Sequence, residues 1–273
     1  MTAENFTIFE NLLTQYCLVK ECHKNKLISV GHSLFSEDIF SLKVSNFENF
    51  NYLLLEFSKI SKGRKLKNKQ GSCEFNVFSF FKVDEPKHSL LLAFLLNPHE
   101  SHGQGNLFLK NFLERLNILN PESNNWTVTA EKDRIDILLT RVNPHSIIII
   151  ENKSNRAADQ QFQLYRYWYH QIHKRKYQID YTTDEYKQKY QIVYLTPHHS
   201  KIPTDNSLSK PDISYGLPDH SNLPDKIPID QKIWEFSKEI FELLENSTKQ
   251  LETENHRLRE YIFQYLELIK NLN

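Results

Sequence analysis

The chain has 273 residues, of which 39% are hydrophobic and 25% are charged, so it can form one large domain or two modest ones. Lysine plus arginine equals aspartate plus glutamate, at 34 each, which excludes a strong overall charge that would attract polyanions to the whole surface. Glycine occurs only six times and neither G-x-G-x-x-G nor G-x-x-x-x-G-K-[ST] is present, which argues against the glycine-rich phosphate loops of nucleotide-binding proteins.

The sequence shows no targeting or membrane segment. No run approaches the roughly eighteen apolar residues of a membrane span, and the first residues lack the basic start and apolar run of a signal peptide. Three widely spaced cysteines do not suggest a disulfide framework. These features predict a cytoplasmic protein.

Helical periodicity dominates the first part of the chain. Apolar residues recur at three- and four-residue intervals up to about residue 60, and the basic, glycine-containing segment 61–72 is typical of a loop. We therefore predict an N-terminal helical region over residues 1–70. Two further helices are expected beyond it, at EPKHSLLLAFLLNP, which has a proline near each end, and at NLFLKNFLERL.

The pattern changes to strands after Pro121. Three strands are predicted, in the segments WTVTAEK, RIDILLTR and SIIIIENK. A helix is predicted from Ala157 to Lys176, followed by a fourth strand at QIVYLTP and a short candidate fifth strand at DISYG.

The last part of the chain divides in two. Residues 201–229 are rich in proline, serine and aspartate, which predicts an irregular excursion. Residues 230–273 predict a C-terminal helical region packing on the core, formed by QKIWEFSKEIFELLEN and HRLREYIFQYLELIKNL. The order of helix, three strands, helix and strand predicts an α/β core flanked by helices.

A pair of charges ends the most hydrophobic strand. Four isoleucines, Ile147–Ile150, run directly into Glu151 and Lys153, and burying such charges costs several kcal/mol unless something compensates them. Residues two apart in a strand share a face, so Glu151 and Lys153 project together, and Asp136 can join them from an antiparallel neighbouring strand. Two adjacent carboxylates repel each other, and a divalent cation with oxygen ligands removes that repulsion.

Two other interpretations explain the same charges. Glu-x-Lys alone is common and usually forms a surface ion pair that contributes little to stability. The three charges can also form a buried network that favours one fold over its alternatives. The conjunction of an upstream aspartate, an apolar strand and a following polar-faced helix favours a catalytic site over both.

These residues resemble known motifs. Asp136 followed by Glu151-Asn152-Lys153 resembles the signature of the PD-(D/E)XK nuclease superfamily, with Ile135 in place of the proline before the aspartate. The segment QLYRY resembles the Q-x-x-x-Y motif of the RecB-like branch. The segment EPKHSLLLAFLLNPHESHGQGNLFLKNFL resembles the N-terminal signature of an uncharacterised bacterial nuclease-like family. The resemblance covers about residues 75–200, and residues 1–70 have no recognised counterpart.

The resemblance implies a restriction-endonuclease-like α/β fold, with a mixed central sheet in the core over residues 75–200, and a Mg²⁺ (or Mn²⁺) site. Its implied metal ligands are the side chains of Asp136, Glu151 and Glu85 and the backbone carbonyl of Asn152. Lys153 is the implied catalytic lysine. Gln163 is implied to arrange the site and Tyr167 to contact the nucleic-acid backbone, and their four-residue spacing puts both on one helix face.

Further residues are candidates for nucleic-acid contacts, each with an alternative. Arg134 and Arg156 are suited to phosphate binding, or to ion pairs with Asp133 and Asp159. His88 is suited to phosphate or metal binding, or to a buried position bonded to backbone.

The expected function is metal-dependent hydrolysis of phosphodiester bonds. DNA is the favoured substrate, and the family's usual setting suggests bacterial defence or repair. A partner protein or a homo-oligomer is compatible with the sequence. The alternatives are a catalytically inactive nuclease-fold module that binds nucleic acid or regulates, and a purely structural α/β protein.

Overall fold

The computed structural model describes residues 37–72, 74–122, 125–175, 183–197, 201–215, 217, 220–229 and 231–272. The chain divides into two units, Met1–Phe75 and Asn76–Asn273. In the first unit, one long helix, α1, spans Glu37–Gly71. The first half of the predicted helical region over residues 1–70 lies outside the described residues.

A mixed sheet of five strands, in the order β1-β2-β3-β4-β5, forms the centre of the second unit. The strands are Trp126–Lys132 (β1), Ile135–Arg141 (β2), Ser146–Asn152 (β3), Tyr190–Thr196 (β4) and Gln231–Glu235 (β5). The pairings β1–β2 and β2–β3 are antiparallel, whereas β3–β4 and β4–β5 are parallel. Because β3 and β4 lie inside the sheet, both are buried along their whole length and are almost continuously apolar.

Helices cover both faces of this sheet. They are Glu85–Leu96 (α2), Leu107–Arg115 (α3), Gln163–Tyr167 (α4), Asp184–Lys187 (α5), Asp205–Leu208 (α6), Phe241–Lys249 (α7) and His256–Lys270 (α8). Short 3-10 helices lie at Val77–Phe80, Ile213–Tyr215 and His220–Asn222, and π-helical segments at Trp168–His173 and Phe236–Ile240. Helices α2, α3, α7 and α8 pack on one face with Ile148 and Ile150. Helix α4 and its π-helical continuation pack on the other face with Ile147 and Ile149.

The start of helix α2 is set by its capping residue. The side chain of Asp84 accepts a hydrogen bond from the backbone N–H of Lys87, and Pro86 occupies the first turn, where its missing N–H costs nothing. This cap places Glu85 in the first turn of the helix. The mixed sheet with flanking helices confirms the predicted α/β fold, and among the described residues no helix is both long and apolar enough to cross a membrane.

Three local predictions are wrong. Residues 61–71 continue helix α1 and do not form a loop, although Gly63 lies within them. The segment DISYG forms a 3-10 turn, Ile213–Tyr215, where a strand was predicted. The fifth strand is Gln231–Glu235, in a segment predicted to be helical, because it pairs with β4 and its Trp234 packs edge-on against Phe112.

Candidate functional site

The pairing of β2 with β3 brings two carboxylates together. Ile137 lies opposite Ile150, so the next residues along the two strands are Asp136 and Glu151, which project from the same face. The backbone N–H of Asn152 donates a hydrogen bond to Oδ2 of Asp136 at 2.5 Å. This bond holds Asp136 against the end of β3.

A buried lysine neutralises only part of this charge. Nζ of Lys153 lies 2.6 Å from Oε1 of Glu151, and the exposed fractions of the two side chains are 6% and 1%. The second oxygen of Glu151, Oε2, is buried and has no hydrogen-bond partner among the residues that the structure describes. One ammonium therefore faces two carboxylates, and one carboxylate oxygen of Glu151 makes no hydrogen bond.

The environment disfavours ionisation of both acids. Burial, reinforced by the charge of Asp136, raises the pKa of Glu151 to about 8. Burial also raises the pKa of Asp136 to about 6, against the lowering effect of the Asn152 N–H. Burial alone would lower the pKa of Lys153, but the charge and hydrogen bond of Glu151 and the charge of Asp136 outweigh it and raise that pKa. The lysine is therefore charged at neutral pH, and the environment opposes simultaneous ionisation of the two acids unless a further cation compensates them.

Glu85 reaches the same strand end from helix α2. Its Oε1 accepts hydrogen bonds from the backbone N–H groups of Asn155 (3.0 Å) and Ala157 (3.3 Å), in the loop that follows β3. The side-chain amide of Asn152 donates to the backbone carbonyl of Glu85 at 2.8 Å and to Oγ of Ser89 at 3.1 Å. These bonds fasten the start of α2 to the end of β3, and the charge of Glu85 contributes to the raised pKa of Asp136.

Gln163 and Tyr167 extend the site into a chain of hydrogen bonds. Lys153 Nζ donates to Oε1 of Gln163 at 3.4 Å, and Nε2 of Gln163 donates to the Tyr167 hydroxyl at 3.0 Å. That hydroxyl donates in turn to the backbone carbonyl of Arg134. Tyr167, predicted to contact nucleic acid, is only 7% exposed and its hydroxyl is engaged on both sides, so it buttresses the site instead.

The position of His88 corrects its assignment. The side chain is fully buried against Phe236 and Tyr265, and its Nδ1 shares a 2.9 Å hydrogen bond with the Tyr265 hydroxyl. Burial lowers its pKa to about 4, so the ring is neutral at physiological pH. With no exposed surface, His88 has no route to a phosphate, and the prediction that it binds nucleic acid is wrong.

The two predicted arginines lie on exposed loops with left-handed backbone. Arg134 (φ 65°) lies in the turn between β1 and β2, and Arg156 (φ 60°) lies just after Lys153. Their exposure is compatible with phosphate contacts, which stay a prediction.

Two acidic residues near the site were not predicted. Asp159 accepts hydrogen bonds from the Tyr194 hydroxyl and from the backbone N–H of Thr204, both at 2.7 Å, and its charge helps to raise the pKa of Glu151. The charge of Glu131, at the end of β1, acts on Asp136. No motif marks Asp159, but the strand alternation of WTVTAEK places Glu131 near the turn before Asp136.

The donor set fits a magnesium-like cation. Within the described residues, no three His, Cys, Asp or Glu side chains already stand close enough to hold a metal alone, so the predicted trio of Glu85, Asp136 and Glu151 is not assembled. Mg²⁺, however, is commonly bound by one or two carboxylates together with waters and substrate phosphates. The acid pair and the unpartnered Oε2 of Glu151 meet that requirement.

Comparison with known proteins gives one informative result. A family model described as the PD-(D/E)XK nuclease superfamily matches residues 75–267, well over half of the chain. The match extends from the 3-10 helix before α2 to helix α8 and includes every site residue described above. No curated protein and no solved structure matches the chain.

Proposed function

The chain belongs to the PD-(D/E)XK nuclease superfamily, and from that premise we propose that it is a divalent-metal-dependent nuclease that hydrolyses phosphodiester bonds in DNA. The observation that carries the proposal is the buried Glu151 beside the half-buried Asp136, with a single ammonium, Lys153, and an unpartnered oxygen, Oε2 of Glu151. A setting in bacterial defence or repair belongs to the same proposal.

The acidic residues would hold the cation. Asp136 and Glu151 would provide the carboxylate ligands, with the backbone carbonyl of Asn152 beside them and Glu85 completing or supporting the shell. A Mg²⁺ or Mn²⁺ ion at this position supplies positive charge that stabilises the phosphate oxygens as the bond breaks.

Lys153 would act on the water and the phosphate. In the structure its ammonium is held between Glu151 Oε1 and Gln163 Oε1. An ammonium has three N–H donors, so besides Glu151 and Gln163, Lys153 would have one donor for a phosphate oxygen or for the attacking water. Gln163 keeps the ammonium at the site, and Tyr167 keeps Gln163 in place.

The structural alternative explains less of this geometry. A network built only for stability would account for the ion pair of Lys153 with Glu151. It leaves the charge of Asp136 and the unpartnered oxygen of Glu151 uncompensated, and such groups are costly when buried. An inactive module would have no need of all three charged residues.

Cleavage assays test the proposal. Purified protein with Mg²⁺ or Mn²⁺ should cleave circular or linear DNA, and chelator should abolish cleavage, with single-stranded DNA and RNA assayed alongside. Absence of hydrolysis on all of these substrates, with either ion, would overturn the enzymatic proposal.

Lys153→Ala should reduce cleavage by about a hundredfold or more while Mg²⁺ binding is kept, because the carboxylates that bind the ion remain. The matched control is Lys232→Ala, which removes an exposed lysine from β5 of the same sheet. Cleavage by Lys153→Ala at the rate of the control would show that the lysine has been given the wrong role.

A further inference from the structure

A basic groove opens beside the candidate site. Its volume is about 620 Å³, and it is lined by Tyr167 and by five charged residues. These are Asp133, Arg134, Arg166, Lys174 and Arg175. Four permanent positive charges therefore face one negative charge, in a chain whose positive and negative residues are equal in number.

The cations of this groove follow one side of a helix. Arg166, His170 and Lys174 are spaced four residues apart along α4 and its π-helical continuation, where the Lys174 N–H donates to the Tyr169 carbonyl at 2.8 Å. Trp168 and Ile172, between them in sequence, are fully buried, so the basic side is the outer one. All three side chains line the same groove, and burial together with the charges of Lys174 and Arg166 lowers the pKa of His170.

The four cations are available to a ligand. In the described part of the chain, none of Arg134, Arg166, Lys174 and Arg175 forms an ion pair with a carboxylate. From Arg166 to Lys174 the helix rises by about 12 Å, at roughly 1.5 Å per residue. Successive phosphates of one strand lie roughly 6–7 Å apart, about twice the ~3.4 Å that each occupies along the duplex axis, so this length reaches about two to three phosphates.

The side of the groove opposite the helix is formed by the tight turn between β1 and β2. Lys132 pairs with Ile135, and the two residues between them, Asp133 (φ 55°) and Arg134 (φ 65°), both have left-handed backbone. A two-residue turn with both residues left-handed strongly favours glycine at its second position, so Arg134 adopts this backbone against its conformational preference. The Arg134 carbonyl accepts a hydrogen bond from the Tyr167 hydroxyl. This bond connects the groove to the chain of hydrogen bonds that ends at Lys153.

We propose that this groove binds the phosphodiester backbone of the substrate strand next to the bond that is cleaved, with Arg134, Arg166, Lys174 and Arg175 on successive phosphates. The proposal rests on the proposed nuclease function, because it assumes a nucleic-acid substrate at the adjoining carboxylates. It specifies where the strand lies: along α4 and across the β1–β2 turn.

Salt dependence of binding tests the groove separately from catalysis. Binding of a fluorescently labelled DNA, single-stranded or duplex, is measured in chelator, where no cleavage interferes. Log affinity decreases as log salt concentration increases, and the steepness of this decrease reports the number of phosphate contacts. The triple variant Arg166→Ala/Lys174→Ala/Arg175→Ala should make the slope shallower by about 2 to 3, at roughly 0.7–0.9 per lost phosphate contact. The matched control, Lys238→Ala/Lys249→Ala/Lys270→Ala, removes three exposed lysines elsewhere in the same unit and should leave the slope near that of the wild type.

The outcomes separate the two proposals. Equal slopes for the triple variant and the wild type would overturn the proposal that the groove binds the strand, even if cleavage is observed. Wild-type protein that binds neither single-stranded nor duplex DNA would overturn it as well. A shallower slope for the triple variant, together with a wild-type protein that cleaves no substrate, would support strand binding in the groove and overturn the proposed nuclease activity.

The variant Arg134→Gly tests the role of the arginine side chain in DNA binding without destabilising the fold. Asp-Gly suits a left-handed two-residue turn better than Asp-Arg, and the backbone carbonyl that accepts the Tyr167 hydroxyl is retained. We therefore expect an equal or higher melting temperature together with a several-fold loss of DNA affinity. Wild-type DNA affinity in this variant would show that Arg134 does not contribute to DNA binding.

Discussion

Glu151 is the residue on which the proposed chemistry depends most. Its carboxyl is buried beside Asp136, and the pKa values of the two groups are raised to about 8 and about 6. In the unfolded chain both acids titrate near pH 4, so between roughly pH 4 and pH 8 the folded metal-free protein binds more protons than the unfolded one. Stability must therefore decrease as pH rises through this range.

We predict that the metal-free protein loses a few kcal/mol of its free energy of unfolding between pH 5 and pH 9, on the order of 1.4 kcal/mol per unit of pKa shift at most. Melting temperatures in chelator at a series of pH values measure this. Glu151→Gln should flatten the dependence, because it removes the group with the larger shift. A wild-type melting temperature that rises over the same interval would contradict the assignment.

Asp136→Asn separates a metal site from a structural network. The variant removes the repulsion with Glu151, and its amide oxygen can still accept the Asn152 N–H. In chelator we expect an unchanged or higher melting temperature, with loss of both cleavage and Mg²⁺-induced stabilisation. A structural network predicts the reverse, a destabilisation of about 3–5 kcal/mol, because Lys153 would lose a compensating charge. Thermal melts with chelator and with Mg²⁺ distinguish the two.

At the scale of elements, the site depends on the contact between the start of α2 and the loop after β3. One oxygen of Glu85 already accepts two backbone N–H groups of that loop. A glutamine can reproduce those acceptor contacts without the charge, whereas an alanine cannot. The two substitutions therefore distinguish a residue that holds the loop from one that binds the ion.

We predict that Glu85→Gln keeps cleavage within several-fold of the wild type, while Glu85→Ala loses roughly 10–100-fold, the usual effect of removing a group that orients a metal ligand. Cleavage rates and hydrogen exchange of the 155–157 amides measure the two effects together. Equal, large losses in both variants with a still-protected loop would instead make Glu85 a direct ligand.

The elements that the sequence predicted correctly are those whose pattern is local. Strands β1 to β3 follow from alternation and apolar runs, and α2 follows from its prolines and periodicity. Strand β5 was missed because Ile233, Phe236 and Ile240 have helical spacing, and only its pairing with β4 makes it a strand. Gly63 suggested a loop, but a single glycine is tolerated inside a helix at a cost of about 1 kcal/mol.

The same distinction applies to the site. The shared face of Asp136, Glu151 and Lys153 follows from strand alternation and one antiparallel pairing. Asp159 and the buried position of His88 depend on how a loop and three helices pack, which no local pattern contains. Of the four cations of the groove, only Arg134 was predicted as a phosphate contact, because the groove is formed by two segments that are separate in sequence, the β1–β2 turn and the helix that begins with α4.

At the scale of the whole molecule, charge is separated without a net excess. The acidic residues Glu85, Asp136 and Glu151 lie around the C-terminal end of β3, and the basic residues of the groove lie on the outer side of the helix that begins with α4 and in the β1–β2 turn. In the proposed function, the nucleic acid would lie on one of these surfaces and the metal on the neighbouring one. The equal numbers of positive and negative residues conceal this arrangement.

Strand β3 is where the antiparallel and parallel halves of the sheet meet, and this has a consequence for the order of folding. Its partner β2 is one short turn away, whereas β4 and β5 follow only after long connections, so loop closure favours the β2–β3 hairpin as the earlier contact. That hairpin alone brings Asp136 and Glu151 together, before Lys153 is enclosed by Gln163. Refolding in chelator should therefore slow as pH is raised from 5 to 9, and Asp136→Asn should remove most of that slowing, as stopped-flow measurements would show. The acid pair that the proposed catalysis requires would thus act as a barrier while the protein folds, and a divalent cation or a proton would lower it.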